Sequence, residues 1–153
     1  MAPCETWDNA ILACEVQTAD QHFPMLISTK RIAPGEGNTW FIKVHGTEFS
    51  AEFSTKYPKT LRTMTYRSGR PQSWETLDIG YASAYPAITG GIFEFGFSDS
   101  ILQMIAAFCD ELVYGADLRQ PFGCATPEET ALHHRVLTAA LESEKTGQVV
   151  RLS

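Results

Sequence analysis

Hydrophobic and polar residues alternate along much of the first half of the chain, which is the pattern of half-buried β-strands. The alternation is clearest in Thr39–Val44, where Trp40, Ile42 and Val44 share one face of the predicted strand. The run Asn9–Val16 is mostly apolar instead, and we interpret it as a strand buried on both faces. The six predicted strands are 9–16, 25–32, 39–44, 48–55, 60–66 and 73–79. Short turns join them, so the pattern predicts an antiparallel meander.

A helix with one apolar stripe is predicted after the strands. Ile101, Ile105, Phe108 and Leu112 recur at helical spacing, which indicates a buried face. Ser98 is the predicted N-cap of this helix. The neighbouring Asp110-Glu111 pair is interpreted as part of its solvated face.

A second predicted helix has the clearer start signal. Thr126-Pro127-Glu128-Glu129 combines a capping box with proline at the first helical position. Its predicted buried face consists of Leu132, Val136, Ala139 and Ala140. The apolar tail 149–152 predicts an edge strand after this helix.

Candidate ligand contacts lie where the last predicted strand meets an aromatic connection. Asp78, Tyr81 and Tyr85 are these candidates for substrate contact, because strand ends and loops carry ligand contacts on a rigid scaffold. The alternative is that the tyrosines only pack there, with their hydroxyl groups in water. Gly90-Gly91 would let a ligand approach the backbone, or would simply permit a tight bend.

The composition is that of a single globular domain spanning residues 1–153. Hydrophobic residues make up 44% and charged residues 20%, which excludes a disordered chain. The net charge of −6 argues against a nucleic-acid partner, since phosphate binding needs clustered basic residues. The sequence has no membrane-spanning run and no secretory signal, so we expect no membrane partner and a cytoplasmic location.

Recognisable catalytic and metal motifs are missing from this sequence. It contains no glycine-rich nucleotide loop, so no cofactor-binding residue is assigned. Because His133 and His134 are adjacent on a helix, they point about 100° apart and do not predict a metal site. The four cysteines are interpreted as free thiols, with Cys109 in the core.

Several phrases of the sequence nevertheless resemble the C-terminal domain of one enzyme family. The stretch 25–53 looks like a hairpin of that family with an I-x-V-x-G-T phrase, matched by Ile42, Val44, Gly46 and Thr47. Asp8-Asn9-Ala10 looks like the start of the family's meander. The two predicted helices resemble its late helices, with Thr146-Gly147-Gln148-Val149-Val150 as the closing phrase. The family is that of glucose–fructose oxidoreductase, inositol dehydrogenase and MocA.

The resemblance implies an α+β domain with an open, mainly antiparallel sheet and helices on one face. It implies a role as the substrate-side and oligomerisation domain of an NAD(P)-dependent oxidoreductase acting on a sugar or polyol. NAD or NADP would belong to the full-length enzyme, and a sugar is a possible ligand of this domain. In this family the free sheet face mediates association, so we expect a homodimer or a multiple of one.

Departures from the family pattern limit what the resemblance implies. Family members carry a Rossmann domain, an E-K-P phrase and a D-x-x-x-H segment, and this sequence has none of the three. No catalytic residue is therefore assigned, and we expect the chain to be the later part of a dehydrogenase subunit that is inactive alone. The alternatives are a stand-alone helix-grip module for a small apolar ligand and a purely structural oligomerisation domain.

Overall fold

The computed structural model of the chain describes residues 7–80, 82–93, 95–115, 120 and 123–152. It contains antiparallel strands and two helices, in agreement with the predicted α+β class. The chain forms two compact units. One consists of residues 1–37 together with 127–153, and the other is Asn38–Thr126.

The second unit contains a four-stranded antiparallel meander. In chain order its strands are β3 (Phe41–His45), β4 (Phe49–Ser54), β5 (Thr60–Thr65) and β6 (Glu75–Asp78). The tight β3–β4 turn depends on Gly46, whose N–H donates to the Phe49 carbonyl at 2.8 Å. A Cβ at Gly46 would lie 2.9 Å from that oxygen, so the close approach requires glycine.

The first unit contains a two-stranded hairpin of β1 (Asn9–Gln17) and β2 (His22–Lys30). The expected single meander is thus divided into two sheets. The connection between β2 and β3, residues 31–40, is longer than the short loops that fix the register of a hairpin. β1 alternates between exposed and half-buried positions, so the prediction that it is buried on both faces was wrong.

The hairpin also begins earlier in β2 than the sequence pattern indicated. Thr18 stabilises the turn between β1 and β2, since its hydroxyl accepts the Gln21 N–H at 3.0 Å. Strand pairing then starts at His22, opposite Gln17. Pro24 lies inside the strand opposite Glu15, a position that two-stranded pairing tolerates because the strand is an edge.

Helix α1 (Phe97–Tyr114) belongs to the second unit, and its cap differs from the predicted one. Gly96 is the N-cap residue, and its N–H donates to the Asp99 carboxylate at 2.9 Å. Ser98 therefore lies in the first turn and does not cap it. The Asp99 carboxylate thus supplies the half of a capping box that satisfies the N-cap N–H, and its negative charge is favourable at the helix N-terminus.

The predicted buried stripe of α1 faces the wrong way. Ile101, Ile105, Phe108 and Leu112 are all exposed, and Cys109, predicted to be a core thiol, is exposed as well. The buried positions are Gln103, Ala107 and Asp110. Helical spacing identifies an apolar stripe but does not show which neighbouring segment packs on the helix. The apolar side was therefore expected to be the buried one.

Helix α2 (Pro127–Thr146) begins at the proline that the sequence indicated, which leaves Thr126 at the N-cap position. No described residue of α2 is buried: Leu132 is exposed, while Val136, Ala139 and Ala140 are half-buried. The expected buried face is therefore at most partly covered. Residues 149–152 are not in a strand, so the predicted edge strand is absent there.

Removing the Thr126 hydroxyl should destabilise α2. We expect Thr126→Ala to lower the free energy of unfolding of this helix by about 1 kcal/mol, the usual cost of losing a cap. Urea titration followed by far-UV circular dichroism measures it. Thr138→Ala is the control, because the Thr138 hydroxyl only donates to the His134 carbonyl inside the helix. Equal midpoints for the two variants would contradict the capping role.

Candidate association surface and the polar clamp on α1

The register of β3–β6 sorts the side chains onto two faces of different character. Because partners across an antiparallel pair share a face, Ile42 lies with Phe53, Phe53 with Leu61, and Leu61 with Leu77. We call this side the apolar face. It consists of Ile42, Val44, Phe49, Ala51, Phe53, Leu61, Thr63 and Leu77, with Glu75 and Thr65 at its margins.

The opposite side, which we call the charged face, carries a ladder of ion pairs across three strands. Lys43 on β3 lies 3.0 Å (Nζ to Oε2) from Glu52 on β4. Glu52 also pairs with Arg62 on β5. The Arg62 guanidinium in turn lies 5.2 Å from the centre of the Trp74 ring. One carboxylate thus joins two cations on adjacent strands, which fixes the register from this side.

The ladder changes the titration of its central carboxyl group. The side-chain hydrogen bond from Lys43 is the largest influence that lowers the pKa of Glu52 below its ordinary value of 4.5, with the charge of Arg62 acting in the same direction. Burial opposes this shift but does not cancel it. Glu52 is therefore ionised in the folded sheet at neutral pH, and both of its oxygens accept from cations.

Part of the apolar face is exposed to solvent, while Ala51, Phe53 and Leu61 near its centre are half-buried. Ile42 is 61% exposed and Val44 is 56% exposed, and Phe49 and Leu77 are exposed as well. Only Thr63 on this face is buried. In a sheet with one solvated face, apolar and polar residues normally alternate along each strand, so that the solvated face is polar. A contiguous exposed apolar patch instead marks an interaction site.

A polar clamp fastens α1 to the segment that follows the sheet. The Gln103 side chain pairs with the backbone of Tyr85, accepting from its N–H at 2.8 Å and donating to its carbonyl at 2.9 Å. The same carbonyl accepts from the Ser83 hydroxyl at 2.6 Å. The Tyr85 hydroxyl donates to the Asp110 carboxylate at 3.2 Å. Tyr85, Gln103 and Asp110 are all buried, so these hydrogen bonds are made away from water.

The two anchors of this clamp on α1, Gln103 and Asp110, were not predicted from the sequence. Asp110 was interpreted as solvated, which was wrong: the residue is 3% exposed. Charged residues on a helix usually face water, whereas the buried Asp110 carboxylate accepts a hydrogen bond from the Tyr85 hydroxyl. The available signal was the spacing, since Gln103 and Asp110 are seven residues apart with Ala107 between them, and so lie on one face of a helix.

The three predicted site residues have different outcomes. Tyr85 is buried in the clamp, with its hydroxyl directed to Asp110. Asp78 is exposed at the end of β6, where its carboxylate accepts the Gly80 N–H at 2.8 Å. Tyr81 lies outside the described residues. Asp78 and Tyr85 therefore make hydrogen bonds to different segments, one to Gly80 and the other to α1. Substrate contact by Asp78, Tyr81 or Tyr85 stays a prediction.

A second contact ties residues just before α2 to the same helix. The Cys124 N–H donates to the Glu111 carboxylate at 2.6 Å, and its thiol donates to the Met104 carbonyl at 3.7 Å. Loss of hydration, followed by the negative charge of Glu111, raises the pKa of the Cys124 thiol. A thiol that stays protonated is a poor nucleophile, so this contact is structural.

Beside the clamp lies an open depression of about 270 Å³. Its wall includes Phe93, Phe95 and the turn residues Thr89, Gly90 and Gly91, and both glycines have positive φ. That turn requires glycine for its backbone conformation, and a Cβ at either position would meet open space. Two polar side chains of the wall are engaged in hydrogen bonds, because Ser83 donates to the Tyr85 carbonyl and Asp99 accepts from the Gly96 N–H.

Within the described part of the chain, no group of three or more His, Cys, Asp or Glu side chains is arranged to hold a metal ion. Among the same residues, neither helix is both long and apolar enough to cross a bilayer. Comparisons with protein-family models, curated proteins and solved structures found no match to this chain.

The charge ladder should make the stability of the sheet depend on acid pH. Since the folded pKa of Glu52 is depressed, its contribution is present above about pH 4.5 and is lost as the pH falls through the folded pKa. We expect Glu52→Gln to lower the urea midpoint at pH 7 and to have a smaller effect at pH 3. The exposed Glu48→Gln is the control. A Glu52→Gln deficit that stays constant from pH 7 to pH 3 would exclude the ladder as its source.

Truncating the clamp should cost more than an exposed change on the same helix. We expect Gln103→Ala to lower the free energy of unfolding by about 1–3 kcal/mol, since it leaves the buried Tyr85 N–H without its partner. Cys109→Ala, exposed on α1, should change it by less than about 0.5 kcal/mol. Denaturant titration of both variants is the measurement. A loss for Gln103→Ala no larger than that of the control would show that the clamp does not form.

Proposed function

We propose that this chain is an association module: the substrate-side and oligomerisation domain of an NAD(P)-dependent oxidoreductase acting on a sugar or polyol. The oxidoreductase part rests on the resemblance carried by the I-x-V-x-G-T phrase and the closing T-G-Q-V-V phrase. NAD or NADP would bind to a nucleotide-binding domain of that enzyme. The chain alone would not transfer hydride, since neither family motif for the catalytic lysine or histidine occurs in its sequence.

The observation that carries association is the contrast between the two sheet faces. The charged face is suited to water, because Lys43 and Arg62 both pair with Glu52 while their own side chains stay about half exposed. The apolar face presents Ile42, Val44 and other large side chains to solvent. Covering this surface with protein is favourable by about 25 cal/mol per Å² of apolar area removed from water. A second copy of the chain supplies a charge-poor surface, so no charge need be buried.

The helix-grip alternative has less support. Such a module wraps its sheet around one long last helix, whereas this chain has two helices of similar length, α1 (Phe97–Tyr114) and α2 (Pro127–Thr146). Thermal-shift measurements separate the two functions. Stabilisation by sugars would favour the oxidoreductase domain, and stabilisation by fatty or polycyclic compounds would favour the helix-grip module.

Size-exclusion chromatography with light scattering tests the association. We expect about twice the chain mass of 17.0 kDa, or a multiple of that value. Val44→Asp should reduce the mass to that of one chain, because it places a charge on the apolar face. Phe41→Asp is the matched control, since Phe41 is an exposed apolar residue on the other side of the same strand. A wild-type chain that stays monomeric at high micromolar concentration would overturn the proposal.

A further inference from the structure

The depression beside the polar clamp is formed by one continuous part of the second unit. Its described wall residues all lie between Ala82 and Asp99, so a single unit supplies them. Hydrogen bonds hold both ends of this stretch: near its start Tyr85 is bonded to Gln103 on α1, and at its end Asp99 accepts the Gly96 N–H. Contacts within the same unit therefore fix the wall before a ligand arrives.

The wall carries a negative charge that no cation among the described residues balances. Asp99 supplies this charge, and none of the described wall residues is Lys, Arg or His. The Oδ2 atom of Asp99 accepts from Gly96, whereas no hydrogen bond or ion pair from a described residue reaches its Oδ1 atom. The N-terminus of α1 adds a positive charge of about half an elementary unit, which reduces the negative charge without reversing it. A phosphate or carboxylate ligand would be repelled here, and a cation would be attracted.

The side chains of the wall offer a ligand few hydrogen bonds. The Ser83 hydroxyl already donates to the Tyr85 carbonyl. The Thr89 hydroxyl and the Asp99 Oδ1 atom are the side-chain groups of the wall that no described residue bonds. A sugar carries several hydroxyl groups, and most of them would lose water here without gaining a partner. The matching ligand is therefore a cation with few hydrogen-bonding groups of its own.

Apolar side chains make up much of the remaining wall, namely Ala82, Pro86, Ala87, Phe93 and Phe95. The face of an aromatic ring attracts a cation within about 6 Å, and quaternary ammonium ligands are recognised in this way. Their positive charge is spread over methyl groups, which pack on apolar side chains and need no hydrogen bond. The volume of about 270 Å³ lies below the about 300–1,000 Å³ of pockets for drug-sized molecules, so it suits a small head group.

We propose that the depression binds a quaternary ammonium group of the kind that choline carries. Phe93 and Phe95 contact the methyl groups, and the Asp99 carboxylate supplies the opposite charge. This site goes beyond the association proposed above and does not depend on it, since all of the residues invoked belong to one copy of the chain.

A two-dimensional NMR titration with choline chloride tests the site. We expect saturable shifts of amide signals between residues 82 and 99, which sodium chloride at the same concentration does not produce. The compound 3,3-dimethylbutan-1-ol has the shape of choline but carbon in place of the charged nitrogen, so it should bind about tenfold more weakly or not at all. Equal affinity for this neutral compound would overturn the proposal, and so would the absence of saturable choline shifts.

Two matched pairs of variants locate the binding groups. Asp99→Asn should weaken choline binding about tenfold, because it removes the charge and keeps an oxygen for the Gly96 N–H. Asp78→Asn is its control, since Asp78 also accepts a glycine N–H but lies outside the wall.

The second pair compares two phenylalanines. Phe93→Leu should weaken choline binding, whereas Phe97→Leu, on α1 and outside the wall, should not. This pair decides the test if circular dichroism shows that Asp99→Asn has lost helix. Unchanged choline affinity in Phe93→Leu would overturn the site, and saturable shifts with glucose in place of choline would overturn the ligand class.

Discussion

Antiparallel register is the constraint on which the rest of this structure depends. Because side chains alternate along a strand, a shift of one residue between β3 and β4 would place Lys43 opposite Ala51 or Phe53 and break its ion pair with Glu52, and the same shift between β4 and β5 would break the pair with Arg62. The ladder and the Gly46 turn therefore specify the same register from the side chains and from the backbone. That register gathers the apolar residues of four strands on one face. An exposed apolar surface is thus a consequence of how the sheet is specified.

The clamp on α1 has a similar effect on the helix. Buried polar networks contribute specificity when each member has a partner, and Gln103 satisfies both backbone groups of Tyr85 at once. The buried residues of the helix are the polar Gln103 and Asp110 and the small Ala107. Large apolar side chains are left on the outside, as they are in subunits whose cores are completed on assembly. Sheet and helix therefore both direct their apolar residues outward.

Local sequence signals predicted the bounds of helices and strands better than which of their side chains are buried. The strands 39–44, 48–55 and 60–66 lie within about two residues of those observed, and Pro127 marked the start of α2, because alternation and capping act between near neighbours. Burial was predicted poorly: the stripe at Ile101 and Phe108 is exposed, and Asp110 is buried. What covers a helix face is decided by residues distant in sequence, such as Tyr85. The charge ladder shows the same limit, since Lys43, Glu52 and Arg62 meet only once the register is known.

The central claim is that the apolar face of the β3–β6 sheet is covered by association and not by the chain itself. A dilution series followed by methyl-resolved NMR tests it most directly. The account predicts that the methyl signals of Ile42 and Val44 shift or broaden with protein concentration, while those of Ile11 on the hairpin do not. Signals of Ile42 and Val44 that are identical from low to high micromolar concentration would contradict it.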